Sequence, residues 1–212
     1  MAIVVSVVSQ KGGVGKSTVA RMTAREFAAH DWTVKIADLD ISQGTSFNWR
    51  SRRLQDGLEP DVSVELYGNV RKALAEADRY DLLIIDGAPH ATQSTKEAAQ
   101  KSDLVIIPTG LSLDDMQPSV LLAHELVKTL ERKRIVFALS RVGDSEAELL
   151  ESRDYLKQSG YEVLDGAIPE QVAYRRAMDK GRTVTETRFA TLNERADRVA
   201  QAIMDKIATL AD

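Results

Sequence analysis

The sequence predicts an α/β fold, a doubly wound and mostly parallel sheet flanked by helices, and three observations carry that expectation. Short apolar runs recur along the chain, segments with helical spacing lie between them, and a glycine-rich loop joins the first run to the first such segment. Continuous apolar runs of about four to eight residues, bounded by turn or charged residues, suit strands buried on both faces. Their alternation with helices implies parallel strands joined by right-handed crossovers. Ligands of such sheets bind beyond the carboxyl ends of the strands.

The first strand is expected over residues 3–8, with further strands at 34–37, 82–85, 104–107 and 135–139. Residues 62–66, which alternate, and 163–168, interrupted by Asp165 and Gly166, are weaker candidates. Helical spacing groups Ala20, Ala24, Phe27 and Ala28 after the first strand, and Val120, Ala123, Val127 and Leu130 before Ile135. Near the end, Leu192, Ala196, Val199, Ile203, Ile207 and Leu210 form one apolar stripe. A helix closing the domain is expected there. A membrane-surface helix would want a basic face and bulky anchors, whereas this one carries Asp197, Asp205 and Asp212 and has no Trp or Phe.

With 212 residues and 43% hydrophobic content, the chain can bury a core of its own, and a single domain over 1–212 is expected. The aromatic share is 5%, which suits helices packed on a sheet better than an aromatic-rich sandwich. The absence of cysteine excludes disulfides, thiolate metal sites and cysteine nucleophiles. Residues 1–9 are apolar but short and lack a basic leader, so they read as a buried strand, and a cytoplasmic protein is expected. The net charge of −4 argues against a protein coated in basic surface, without preventing local clusters of Lys and Arg.

The residues Gln10-Lys11-Gly12-Gly13-Val14-Gly15-Lys16-Ser17-Thr18 follow a strand and open a helix, the context a phosphate loop requires. Glycines let backbone N–H groups approach phosphates, and the helix N-terminus adds partial positive charge. Lys16 is placed to reach the β- and γ-phosphates, and the Ser17 hydroxyl to ligate Mg²⁺. Where the usual pattern has its first glycine, Gln10 stands, and a second lysine follows at Lys11. In this the loop resembles that of the ParA and MinD superfamily of partition and positioning ATPases. The resemblance implies ATP and Mg²⁺ as cofactors, a nucleotide-sandwiched homodimer, and a role for Lys11 in contacting phosphate across it. It extends over most of the chain, about residues 3–186, and is closest to short, ParF-like members without an N-terminal DNA-binding domain.

The same resemblance assigns the carboxylates. Asp38-Leu39-Asp40 ends the second strand, with Asp40 implied to orient attacking water and a metal-bound water, and Asp38 to support the loops; strand-terminal Asp also serves as a plain turn residue. Asp86, ending the apolar run 82–85 and followed by Gly87-Ala88-Pro89, has the Walker B form that holds Mg²⁺ through water. Where the family has Pro-Gln after the second Asp, this chain has Ile41-Ser42-Gln43-Gly44. By position Ser140, Arg141, Pro169, Glu170 and Val172 are implied to border the adenine. His30, His90 and His124 are too scattered for a ligand set.

Three functions follow. The first is a ParA-type ATPase that dimerises with ATP, binds DNA nonspecifically and is stimulated by a cargo-linked, ParB-like partner, with association to the nucleoid when ATP-bound. Arg175, Arg176, Lys180, Arg182 and Arg188 then form a phosphate-binding patch, although a solvated helical face accounts for them equally well. A first strand beginning at Ile3 leaves no room for a preceding helix-turn-helix. The second is a metabolic enzyme of dethiobiotin-synthetase-like type, and the third a membrane-recruited regulator of MinD type.

Overall fold

The computed structural model describes residues 2–88 and 93–211, so Pro89, His90 and Asp212 lie outside the described residues. In chain order the elements are β1 (Ile3–Val7), α1 (Lys16–Ala29), β2 (Val34–Asp38), α2 (Thr45–Gln55), β3 (Ser63–Leu66) and α3 (Val70–Leu74). There follow β4 (Leu82–Asp86), α4 (Gln93–Gln100), β5 (Leu104–Thr109), α5 (Leu113–Leu126) and β6 (Ile135–Val142). The chain ends with α6 (Glu146–Gln158), β7 (Glu162–Val163), β8 (Ile168–Pro169), α7 (Val172–Met178) and α8 (Ala190–Ala211). The strands form an eight-stranded sheet ordered β3-β2-β4-β1-β5-β6-β7, with β8 also on β6, and the paired strands are parallel. The strands after β1 fill first one side of it (β2, β3, β4) and then, by the β4–β5 connection, the other (β5 to β8), so a crevice opens at its carboxyl end.

Strand side chains alternate between two helical layers, which is why the strands read as continuous apolar runs. Val5, Val7, Leu82, Ile84, Leu104 and Ile106 pack beneath α1, Trp49 of α2, and α8. Val105, Ile107 and Phe137 turn to α5 and α6, and Leu83 and Ile85 to α3 and α4. The expected stripe of α8 is buried through Ala196, Val199, Ile203 and Ile207, so this face belongs to the core and is not presented to a lipid surface. Among the described residues no helix is long and apolar enough to cross a membrane.

Two expectations are corrected. The candidate strand at 163–168 is two short strands, β7 and β8, because Gly166 takes a left-handed φ of 74° that breaks the extended run. Helix α5 stops at Leu126, so Val127 and Leu130 belong to the turn after it, where the N–H groups of Thr129 and Leu130 both fold back on the Leu126 carbonyl.

Helix α2 is anchored far from its own strand. The fully buried Arg53 guanidinium donates to the carbonyls of Pro60, Glu59 and Gly181, and to both oxygens of Glu186 at 2.8 and 3.1 Å. Trp49 Nε1 donates to the Arg182 carbonyl at 2.8 Å. Losing one partner of a buried ion pair costs about 3–5 kcal/mol, so this docking fixes the carboxyl-terminal half of α2.

Candidate functional site

Beyond the end of β1 the chain turns through residues 8–15 and enters α1 at Lys16. Gly15, at the helix entry, has φ 98°, and a Cβ there would stand 2.3 Å from Ser140 Oγ, so conformation and space both demand glycine. The amide end of the 14-residue α1 thereby opens onto a cleft of about 410 Å³. Gly12, Gly13, Gly15, Lys16, Ser17 and Thr18 line one wall. The helix end and its unpaired N–H groups favour an anionic ligand there.

Lys16 is 8% exposed, and its Nζ lies 3.4 Å from the Lys11 carbonyl. Burial lowers its pKa, while the carboxylates of Asp86 and Asp40 act the other way. Asp86, 2% exposed at the end of β4, is pushed up to about 6 chiefly by burial, against the bond it accepts from the Ser46 hydroxyl. Ser46 Oγ donates to its Oδ2 at 2.7 Å, whereas Oδ1 is buried with no hydrogen-bond partner among the described residues.

The other two carboxylates belong to the β2–α2 turn. Asp38 accepts the N–H groups of Ser46 at 2.9 Å, Phe47 at 3.2 Å and Asp40 at 3.1 Å, so it caps α2; burial raises its pKa against those bonds. Asp40 is held by its own turn, its Oδ1 accepting Ser42 Oγ at 2.6 Å and Gln43 N–H at 3.1 Å. Asp40, Asp86 and Ser17 border the same cleft. Hard oxygen donors, one of them a buried orphan, suit Mg²⁺. No group of three or more His, Cys, Asp or Glu among the described residues forms a cage of its own.

The opposite end of the cleft is lined by Ser140, Arg141, Pro169, Glu170, Gln171, Tyr174, Arg175 and Met178. Arg141 Nη1 donates to the Gly13 carbonyl, and its Nε to Glu170 at 2.6 Å; Glu170 also receives Arg175. Arg141 holds a left-handed φ of 58°, a strained conformation for a long side chain. Ser140 Oγ is buried without a partner among the described residues.

Val172 is corrected: it is 51% exposed and does not line the cleft. The reason is the pitch of α7, which turns Gln171, Tyr174, Arg175 and Met178 to the cleft. Val172, Ala173, Arg176, Ala177 and Lys180 line a separate groove of about 860 Å³ with Arg182, Arg188 and Phe189. Of the expected basic patch, Arg175 is bound to Glu170 at the cleft and Arg176, Lys180 and Arg182 line the groove, while Arg175 and Arg176 also share a smaller pocket with Ser17 and Thr18. Reading 171–178 at i, i+3, i+4, i+7 spacing would have found both faces.

Lys11 and Val14 also fall outside the cleft wall. Val14 is buried, and Lys11, with its side chain 44% exposed, points to the start of α5, donating to Asp115 Oδ1 at 2.6 Å and the Asp114 carbonyl at 3.2 Å. Burial would raise the Asp115 pKa, but the bonds from Lys11 and Ser112 hold it below its usual range. Sequence reasoning missed Ser46, Arg21, Gln43, Thr45, Tyr174 and Met178. Arg21 Nε donates to Ser46 Oγ at 3.0 Å. None of the six carries a motif.

Residues 5–184 match the family model of the CobQ/CobB/MinD/ParA nucleotide binding domain. The maintenance of carboxysome distribution protein A of Gloeobacter kilaueensis is 30% identical over 194 residues, covering 90% of this chain and 88% of that relative. The adenylate kinase of Salinispora tropica is 28% identical over 169 residues, 77% of this chain and 75% of that relative. The septum site-determining protein MinD of Pyrococcus horikoshii OT3, solved with Mg-ADP, shares the fold at TM-score 0.78 and 18% identity, over 100% of this chain and 99% of that one.

Proposed function

We propose, because this chain belongs to the CobQ/CobB/MinD/ParA family of nucleotide-binding domains, that it is a Mg²⁺-dependent ATPase acting over residues 1–212 as one domain. In this reading it dimerises around ATP, binds DNA nonspecifically and positions a cargo whose linked partner stimulates hydrolysis. The observation that carries it is the divergence of two lysines of one loop. Lys16 is buried against the carboxylates of the cleft, whereas Lys11 points outward, beside the loop, to Asp115 at the start of α5, where it is free to exchange that partner for a phosphate of a facing subunit. A lysine that serves only its own nucleotide has no need to face away from it. The Gloeobacter relative, named for carboxysome distribution, supports a positioning role.

Within the site, Lys16 and the loop N–H groups hold the phosphates, and Ser17 and Asp86 supply oxygens for Mg²⁺. When bound, Mg²⁺ offsets phosphate charge as the terminal phosphoryl group leaves. Asp40, with Oδ1 fixed by its turn, orients the attacking water through its other oxygen. Ser140, Arg141, Pro169 and Glu170 frame the base. Asp38 acts by fixing α2.

DNA contact is assigned to Arg176, Lys180 and Arg182. Filter binding with ATP, ADP and no nucleotide is expected to show DNA retention with ATP alone. Reversing each charge should reduce the slope of log affinity against log salt by about one unit per lost phosphate contact. DNA binding that ignores nucleotide, or that survives all three reversals, would sink this assignment. The Salinispora relative favours a second reading, phosphoryl transfer to a nucleotide acceptor. Conversion of ATP plus AMP to ADP by the wild-type chain would decide for it.

A further inference from the structure

We propose that Ser46 is a positioning residue for Asp86: its hydroxyl grips one carboxylate oxygen so that the other is presented to the metal, and Arg21 dictates where that hydroxyl points. The inference rests on the assignment of Asp86 to Mg²⁺ and adds how that carboxylate is aimed.

The argument is one of proton counting. A serine hydroxyl has a single proton and can also accept, whereas an arginine can only donate. Arg21 Nε lies 3.0 Å from Ser46 Oγ, so Ser46 must accept there. Its proton is then committed to Asp86 Oδ2, 2.7 Å away. With Oδ2 held, rotation of the carboxylate is blocked and Oδ1 is left buried with no partner among the described residues. A buried, unsatisfied carboxylate oxygen is costly unless a cation takes it.

The three residues come from three elements, which is why the arrangement carries more than a local contact. Arg21 is in α1, one turn past the phosphate loop, and is 4% exposed. Its guanidinium lies 5.8 Å from the Trp49 ring centroid, and Nη2 finds no hydrogen-bond partner among the described residues. Ser46, fully buried in the first turn of α2, is fixed by its own N–H to Asp38 Oδ2 at 2.9 Å. Asp38 and Asp86 are thus two buried carboxylates joined through one serine, with Arg21 as their nearby cation. The start of α2 is chained to the carboxylate that serves the metal.

The test is the Mg²⁺-dependent gain in affinity for a non-hydrolysable ATP analogue, measured by calorimetry with Mg²⁺ and with chelator. Ser46→Ala, which suits a helix and removes one oxygen, should cut that gain by roughly 10- to 100-fold, the usual scale for a residue that orients a metal ligand. Affinity in chelator should stay within about twofold, because the phosphate loop is untouched. Ser46→Thr, which keeps the hydroxyl, should recover most of the gain. Equal losses with and without Mg²⁺ would mean a merely structural role and overturn the inference, as would a Ser46→Ala protein with the wild-type gain. Absence of any gain in the wild type would instead overturn the metal assignment of Asp86 itself.

Discussion

The two ends of the cleft are built from different materials. At the phosphate end, backbone N–H groups are joined by charges nearly sealed from water, with Lys16 8%, Asp86 2% and Asp38 1% exposed. At the end proposed to hold the base, the ion pairs of Arg141, Glu170 and Arg175 sit in side chains 54%, 36% and 55% exposed. Charges interact strongly where water is excluded and weakly where it is not. The phosphate end should therefore be intolerant of any single loss, and the base end should absorb substitutions.

The largest effect is expected at Lys16. Lys16→Ala removes the buried cation nearest the phosphates and should weaken ATP binding by at least roughly a hundredfold, the scale of a charge-assisted contact made out of water. Unchanged affinity by calorimetry would show that the buried charges do not govern binding.

Lys11 tests the contrast within the loop itself, since its side chain is exposed and paired with Asp115 rather than sealed in the cleft. Lys11→Ala should leave ATP binding to the monomer within about threefold, as expected for losing a solvent-screened pair. Dimerisation with ATP should nevertheless fail if, as proposed, a lysine from each subunit offsets the facing phosphates. Sedimentation in an Asp40→Ala background, which prevents turnover, is the measurement. A Lys11→Ala protein that still dimerises would refute the role across the interface.

The smallest change is expected from Arg141→Ala. Exposed ion pairs contribute about 1 kcal/mol or less, so affinity for ATP should fall by no more than about fivefold. If fluorescence titration finds a loss as severe as that of Lys16→Ala, the bond from Arg141 to the Gly13 carbonyl matters more than the pair with Glu170, and the contrast between the ends fails.

The fold was legible because β1, β2, β4, β5 and β6 are short contiguous runs whose side chains are buried on both faces, so hydropathy alone marks them. The phosphate loop was legible for a related reason: its residues are adjacent, and the strand before it and helix after it suffice to aim its N–H groups. The same reasoning failed at Val172, where position in a motif was taken for position in the cleft. The basic residues were placed by sequence on one helical face, and only the folded chain shows Arg175 at the cleft and Arg176, Lys180 and Arg182 along the neighbouring groove.

What the chain determines by itself is whatever neighbouring residues can settle through backbone conformation and hydrogen bonds of short range: strands, helices, the glycine entry at Gly15 and the capping of α2 by Asp38. Partners separated by long stretches of chain needed the folded molecule. Ser46 meets Asp86 across 40 positions, Lys11 meets Asp115 across 104, and Arg53 meets Glu186 across 133. Nothing local distinguishes a serine that grips a carboxylate from one that merely begins a helix. That difference arises when α1, α2 and β4 close together and bury the pair.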